Sequence, residues 1–160
     1  MMETTTPPGH SSWTDRCGPA FIAVALVWAG MLAGVSFLAT PAKFLAPSLD
    51  LPVALEIGSH TFRVFQWFEF GFSLLLLLLA LLVRRPWILI AVAVVLFALV
   101  ELQMLWLLPA LHARTLMIIA GETPPPSQMH TLYAVIEAVK FLGLLGVGSW
   151  LLWRRPRAAN

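Results

Sequence analysis

The chain has 160 residues, of which 59% are hydrophobic and 11% are charged, and its formal net charge is +2. Soluble domains typically carry about 25% charged residues, so this composition argues against a soluble globule and against a disordered chain. It also excludes a nucleic-acid binder, because the basic residues form no stripe that could neutralise phosphates. Cys17 is the only cysteine, which excludes an intrachain disulfide and a thiolate metal cluster.

Four long apolar runs follow a polar N-terminal segment. Residues 1–18 are rich in Thr, Pro, Ser and Gly, a composition that predicts a flexible tail. Each apolar run can cross a hydrocarbon core ~30 Å thick, which takes about 20 mainly apolar residues. The sequence therefore predicts a transmembrane domain over residues 19–153 and a basic tail over 154–160. Its helices are expected at about 19–40, 53–83, 87–112 and 128–153.

Prolines and glycines indicate where these helices end. The segment from Ser48 to Pro52 is typical of a turn and cap, so the second helix is expected to begin near Val53. Arg84-Arg85-Pro86 predicts a tight turn into the third helix, and Pro109 is expected to weaken the end of that helix. Gly30 and Gly34 have the spacing that allows another helix to approach closely, although both are equally explained as merely tolerated glycines.

The distribution of Lys and Arg predicts the orientation of the helices. One side of the predicted bundle carries six basic residues: Arg16, Arg84, Arg85, Arg154, Arg155 and Arg157. The other side carries only Lys43, Arg63 and Arg114. Cytoplasmic segments are enriched in Lys and Arg, so both termini are expected in the cytoplasm. The predicted fold is thus an all-α, four-transmembrane-helix bundle in a bacterial-type inner membrane, with the lipid bilayer as its surroundings.

Charged side chains lie inside the apolar runs at one common depth. Glu69, Glu101, Glu137 and Lys140 are each roughly 20–24 Å from the cytoplasmic end of their helix at 1.5 Å per residue. A charge at such depth costs about 3 kcal/mol or more and is usually paired or functional. We therefore expect Glu137 and Lys140 to face the interior, with one of them within salt-bridge reach of Glu69, Glu101 or Arg63.

Three interpretations of this polar level remain open, and two of them involve no cofactor. In the first, an outward-facing intramembrane site binds or passes a proton, a cation or a small polar ligand. Its residues are Glu69, Glu101, Glu137, Lys140, Arg63 and Tyr133. In the alternative, the charges hold helices together and the polar faces contact a partner. The chain is then an accessory or assembly subunit of a larger membrane complex, or part of a homo-oligomer.

A third interpretation is a metal or haem site. The candidate ligands are His60, His112, His130 and Glu56, because imidazole and carboxylate groups suit zinc or iron. The chain lacks the Glu-x-x-His pair of di-metal bundles, so the sequence requires no cofactor. It also carries no Ser/His/Asp or Cys/His arrangement, no P-loop and no dinucleotide fingerprint. These observations favour a non-enzymatic protein.

Three short segments resemble small uncharacterised bacterial membrane proteins. They are Gly34-Val-Ser-Phe-Leu-Ala-Thr-Pro-Ala-Lys-Phe, Phe62-Arg-Val-Phe and His130-x-x-Tyr133-x-x-x-Glu137-x-x-Lys140. The general plan is similar to the broader group that includes the eukaryotic transmembrane protein 205 (domain of unknown function 4149). The resemblance spans residues from about 30 to 153. It implies a four-helix topology and supplies no biochemical activity.

Overall fold

The computed structural model describes residues 13–82 and 87–154, which form four long helices without any strand. Helix α1 covers residues 13–43 and consists of an α-helical part (Trp13–Leu32), a π-helical stretch (Ala33–Ala39) and a last turn (Thr40–Lys43). Helix α2 is Leu51–Leu82 and helix α4 is Met129–Trp153. Helix α3, Trp87–Ile119, contains the π-helical stretch Gln103–Leu107. All four helices are long and apolar enough to cross a membrane.

The helices differ from the predicted bounds mainly at their ends. Helix α1 begins at residue 13 rather than 19, so part of the expected N-terminal tail is helical. Helix α2 begins at Leu51, and α3 continues to Ile119 instead of ending at 112. The expected tight turn at residues 84–86, residues 1–12 and most of the expected basic tail, 155–160, lie outside the described residues.

The two π-helical stretches explain how α1 and α3 continue past prolines. Pro41 and Pro109 each follow the end of a π-helical stretch by two residues. In a regular helix a proline lacks the N–H donor and its ring clashes with the carbonyl four residues earlier. Here the amides of Thr40 and Leu108 instead donate to the carbonyls of Val35 and Gln103, five residues earlier, as a π turn requires. The helix changes type at the proline and does not end there.

The helices pack in the order α1–α2–α3–α4 around the bundle. Helix α1 contacts α2 and α4, and α3 contacts α2 and, less extensively, α4. A large buried apolar cluster fills the end where α1 begins and α4 ends, and it includes Trp28, Leu76 and Leu144. A smaller cluster includes Leu107 and Tyr133. Along α4, the charged residues Glu137 and Lys140 lie between these two clusters.

Helix α1 packs closely against α4 at Gly148. A Cβ atom placed there would lie 2.8 Å from Leu26 Cδ2, so a larger residue would require the Leu26 side chain to move. A Cβ atom at Gly30 or Gly34 would meet no described atom within 4 Å. Of the two explanations that the sequence left open for Gly30 and Gly34, the described residues therefore favour tolerated glycines over a close helix approach.

The outer faces of all four helices are apolar. One leucine from each helix illustrates this, because Leu38, Leu81, Leu105 and Leu142 are each more than half exposed. Monomeric soluble proteins rarely expose continuous apolar surface on every side. The exposed faces and the four apolar helices together are the pattern of a multi-pass membrane protein.

Candidate functional site

Three charged side chains meet in the middle of the bundle. The Lys140 Nζ atom lies 2.6 Å from Glu69 Oε1 and 2.7 Å from Glu137 Oε1. All three side chains are at most 2% exposed. Glu137 and Lys140 share a face of α4 because they are three residues apart, and Glu69 reaches them from α2. This confirms the expected inward orientation of Glu137 and Lys140 and a salt bridge to Glu69. We call these three residues the charge cluster.

Neutral donors complete the charge cluster, in which two carboxylates face one ammonium group. The Trp28 indole N–H donates to Glu69 Oε1 at 3.1 Å, and the Ser36 hydroxyl donates to Glu137 Oε2 at 2.7 Å. The Gln103 amide donates to Glu137 Oε1 at 3.0 Å. Every helix therefore contributes at least one group. Buried charges persist in folded proteins when they are paired and hydrogen-bonded, which is the arrangement here.

Both neutral donors to Glu137 lie in the π-helical stretches. Ser36 is within Ala33–Ala39 of α1, and Gln103 is the first residue of Gln103–Leu107 of α3. A π turn holds more residues than an α turn, so it changes which side chains face the interior, and such stretches are frequent at functional sites. The two prolines that follow thus mark the segments from which Glu137 receives its neutral hydrogen bonds.

Glu101 does not join the charge cluster, although its depth predicts that it should. Gln103 occupies the position next to Glu137, and two residues along a helix correspond to about 200° of rotation, so Glu101 points elsewhere. Glu101 is half-buried, and its Oε1 atom is buried without a hydrogen-bond partner among the described residues. The predicted grouping of three carboxylates is corrected to two carboxylates and one glutamine amide.

A cavity of about 600 Å³ lies beside the charge cluster. It lies at the end of the bundle where α1 and α3 end and where α2 and α4 begin. We call it the distal pocket because this end is opposite to the N-terminal end of α1. Most of its wall is apolar. The apolar lining comprises Phe44, Leu55, Phe62, Trp67, Met104, Leu108 and Leu111, among others. Tyr133 also lines the pocket, with its ring edge-on to Phe62 at a centroid distance of 5.1 Å.

The polar part of the distal pocket is cationic. Arg63, Lys43, His112 and His130 line it, and none of its described lining residues is an aspartate or a glutamate. The Lys43 ammonium is close to the backbone of α2, and a Cβ atom at Gly58 would overlap it. A glycine at position 58 therefore leaves room for this ammonium group at the pocket wall.

A hydrogen-bonded chain fixes the side chains of Arg63 and His112. Arg63 Nη2 lies 2.9 Å from His112 Nε2, and Ser59 Oγ lies 2.7 Å from His112 Nδ1. A guanidinium group only donates, so Nε2 accepts and the ring proton is on Nδ1, from which it is donated to Ser59 Oγ. Both ring nitrogens of His112 are thus engaged, and the Ser59 hydroxyl hydrogen remains to be donated elsewhere.

The other candidate metal or haem ligands are not brought together. His130 lines the distal pocket, whereas Glu56 and His60 are exposed on α2 and do not line it. Within the described residues, no three His, Cys, Asp or Glu side chains lie close enough together to hold a metal ion. The histidines therefore divide between the pocket and the outside of α2.

A buried amide faces the distal pocket without a partner. Gln66 lines the pocket, its side chain is 7% exposed, and its Nε2 atom has no hydrogen-bond partner among the described residues. Such buried, unsatisfied donors are rare in native proteins and call for a partner such as water or a ligand. Gln66 lies one helical turn from Glu69, so the pocket reaches the edge of the charge cluster.

Three of the residues that define these sites were not predicted. Gln66 and Gln103 are amides within long apolar runs, and that placement is itself a signal, because an amide inside a membrane also needs partners. Trp28 gives no comparable signal, since an indole in an apolar run is equally typical of a lipid-facing or core residue. Only the packing of α1 against α2 brings it to Glu69.

Comparisons with other proteins add no further assignment. No protein-family model matches the sequence, and searches of curated proteins and of solved structures yield no match. The resemblance to the transmembrane protein 205 group stays a prediction. The charge cluster and the distal pocket are the features of the molecule that bear on its function.

Proposed function

We propose that this chain is a multi-pass protein of a bacterial-type inner membrane that binds a small polar ligand in the distal pocket. The Lys/Arg distribution supports cytoplasmic termini, which would place the opening of the pocket on the external side. The observation that carries the proposal is the buried Gln66 amide, which has no partner among the described residues, at the wall of a cavity of about 600 Å³. Ligand pockets typically have about 300–1,000 Å³ and a mostly apolar lining with a few converging polar groups.

The distal pocket suits this role better than the charge cluster. In the cluster, the carboxylates are already bonded to Lys140, and the three side chains are at most 2% exposed, so an external cation meets no free ligand there. In the pocket, Arg63 and Lys43 would repel a cation. Of the three ligand classes that the sequence left open, a small polar ligand is the one that the arrangement supports.

The experiment is to fill the pocket and ask whether a copurifying small molecule is lost. Leu111→Trp places a larger side chain at the apolar wall, whereas Leu116→Trp adds the same volume on the exposed face of α3. We expect native mass spectrometry in mild detergent to show a bound small molecule in the wild type and Leu116→Trp, but not in Leu111→Trp. Equal occupancy in both variants would contradict the proposal.

The same preparation tests the two alternatives. A Soret band or bound metal would favour the haem or metal interpretation, and a copurifying polypeptide would favour the accessory-subunit interpretation. A mass corresponding to two or more copies would indicate a homo-oligomer.

The proposed orientation is tested by cysteine labelling in a Cys17→Ser background. Ser48 and Ser127 are exposed in the two connections at the pocket end, and Arg154 is exposed after α4. Cysteines at 48 and 127 should react with an impermeant thiol reagent in intact cells, and a cysteine at 154 only after lysis. Labelling of position 154 in intact cells would reverse the orientation.

A further inference from the structure

We propose that the ligand of the distal pocket is a single-chain anionic amphiphile, with a carboxylate or phosphate head on one unbranched apolar chain. This inference rests on the proposed function and narrows it, because it identifies the polar part of the ligand as an anionic head and adds an apolar chain. It is drawn from three features of the lining: its charge, its unpartnered donors and its apolar extent.

The charge of the lining favours an anionic head. Arg63 and Lys43 both line the pocket, and neither has a carboxylate within salt-bridge distance among the described residues. The described salt bridges all belong to the charge cluster, whose two carboxylates are already bound to Lys140. An anion entering the pocket therefore meets two cations without competition from protein carboxylates. Hydrogen bonds between such cations and an anionic head are stronger than those to a neutral one.

Two polar side chains of the lining, Gln66 and Ser59, offer donors. Gln66 Nε2 is buried without a partner. Ser59 accepts the His112 Nδ1 hydrogen, so its own hydroxyl hydrogen is available. His112 offers no free lone pair, because Nε2 accepts from Arg63 and Nδ1 is protonated. A carboxylate or phosphate supplies several acceptor oxygens, whereas a neutral alcohol supplies one and a quaternary ammonium supplies none.

The apolar extent of the pocket requires more than a free anion. Phe44, Phe62, Leu108 and Leu111 line the cavity together with the cations, and an inorganic anion would leave them facing water. At about 30 Å³ per water-sized group, a cavity of about 600 Å³ holds roughly 20 such groups. That corresponds to one medium or long alkyl chain with its head.

The test compares head groups on one chain length. Wild-type protein in a neutral detergent is titrated with tetradecanoate, tetradecyl phosphate, tetradecanol or tetradecyltrimethylammonium at pH 8, and native mass spectrometry measures the 1:1 adduct. We expect at least one of the two anions to bind at least tenfold more tightly than the alcohol, and the cation to bind most weakly. The stronger anion identifies the source as a fatty-acid carboxylate or a phosphate monoester.

Variants without the two cations of the pocket test whether these cations cause the preference for an anionic head. Arg63→Gln combined with Lys43→Gln should reduce the anion-to-alcohol ratio from at least tenfold to within twofold. The control is Arg114→Gln at the same end of the bundle, where Arg114 donates to the Pro125 carbonyl and does not line the pocket. This control should keep the wild-type ratio. The comparison of head groups on wild-type protein stands even if the double variant does not fold.

The outcomes separate this inference from the proposed function. If the alcohol binds as tightly as both anions and Leu111→Trp abolishes all binding, the pocket binds ligands but the anionic class is wrong. If none of the four probes binds, while a copurifying molecule is lost in Leu111→Trp, the inference again fails and the proposed function stands. If Leu111→Trp changes neither probe binding nor the copurifying molecule, both are wrong.

Discussion

The charge cluster and the distal pocket adjoin one another on the same four helices, but their polar groups differ in burial and in pairing. In the cluster, the Lys140 ammonium and both of its carboxylate partners are buried, and each carboxylate also accepts a neutral hydrogen bond. In the pocket, Arg63 is exposed and the Gln66 amide is buried without a partner. The two regions are separated by a single helical turn of α2.

This difference supports the proposal that the charge cluster maintains the fold and the distal pocket binds a ligand. The three charges of the cluster are all paired and hydrogen-bonded, and such a buried network stabilises one arrangement of the helices. An unsatisfied buried donor costs free energy, and it is tolerated where a ligand or water completes its bonding. The deepest and most highly charged residues are therefore assigned to structure, and the less conspicuous polar residues at the pocket are assigned to binding.

The largest expected effect is the loss of the cluster's ammonium group. Lys140→Met leaves two buried carboxylates without their cation, so we expect the free energy of unfolding to fall by about 3–5 kcal/mol. The matched control is Lys43→Met in the pocket, which should change it by less than about 1 kcal/mol because this lysine has no ion-pair partner among the described residues. Denaturant titration in detergent measures both variants.

Removing the charges together should restore the stability that Lys140→Met loses. In the triple variant Glu69→Gln/Glu137→Gln/Lys140→Met, no buried charge of the cluster is left unpaired, and such replacements are often nearly neutral. A Lys140→Met protein as stable as the wild type, or a triple variant no more stable than the single one, would contradict the structural role of the cluster.

We expect a change in stability of intermediate size when the two buried glutamines, one in each region, are replaced in turn. Gln103→Leu removes a hydrogen bond to a buried carboxylate, and this loss outweighs the removal of Gln103 Oε1, which is buried without a partner among the described residues, so we expect it to destabilise the protein by about 1–2 kcal/mol. Gln66→Leu removes a buried donor without a partner, so it should leave the stability of the ligand-free protein unchanged or increase it. It should instead reduce the thermal shift that a ligand produces. Thermal unfolding with and without tetradecanoate measures both effects, and equal destabilisation by both variants would remove the distinction between the two regions.

The smallest expected effect concerns Glu101. It lies at the depth of the cluster but makes no ion pair among the described residues, so Glu101→Gln should change stability by less than about 0.5 kcal/mol. Glu137→Gln is the comparison at the same depth, and it should cost more because Glu137 contacts Lys140. A larger loss in Glu101→Gln than in Glu137→Gln would show that depth, rather than pairing, determines the effect.

The sequence predicts the cluster in part, because depth and helical spacing are local properties. Glu137 and Lys140 are three residues apart on one helix, and the cost of exposing them to lipid directs both inward. The partner from α3 could not be predicted in the same way. Charge and depth select Glu101, whereas the side chain that faces Glu137 depends on the rotation of α3, which becomes π-helical at Gln103.

The distal pocket is harder to predict from the sequence than the charge cluster. The sequence identified Arg63, Tyr133 and two of the lining histidines as polar groups at the expected outer end. The cavity itself depends on the gap left between four helix ends, including segments of α1 and α3 that continue beyond Pro41 and Pro109. Pro109 alone predicts a weakened helix end and gives no indication of that continuation.

The most direct measurement of the central claim is ligand binding by two variants, each altered in one region. Tetradecanoate adducts are counted by native mass spectrometry for the triple variant Glu69→Gln/Glu137→Gln/Lys140→Met and for Leu111→Trp. Because the ligand is assigned to the pocket, the triple variant should bind within twofold of the wild type and Leu111→Trp should lose binding. Loss of binding in the folded triple variant with retention in Leu111→Trp would contradict the account and return the ligand site to the charge cluster.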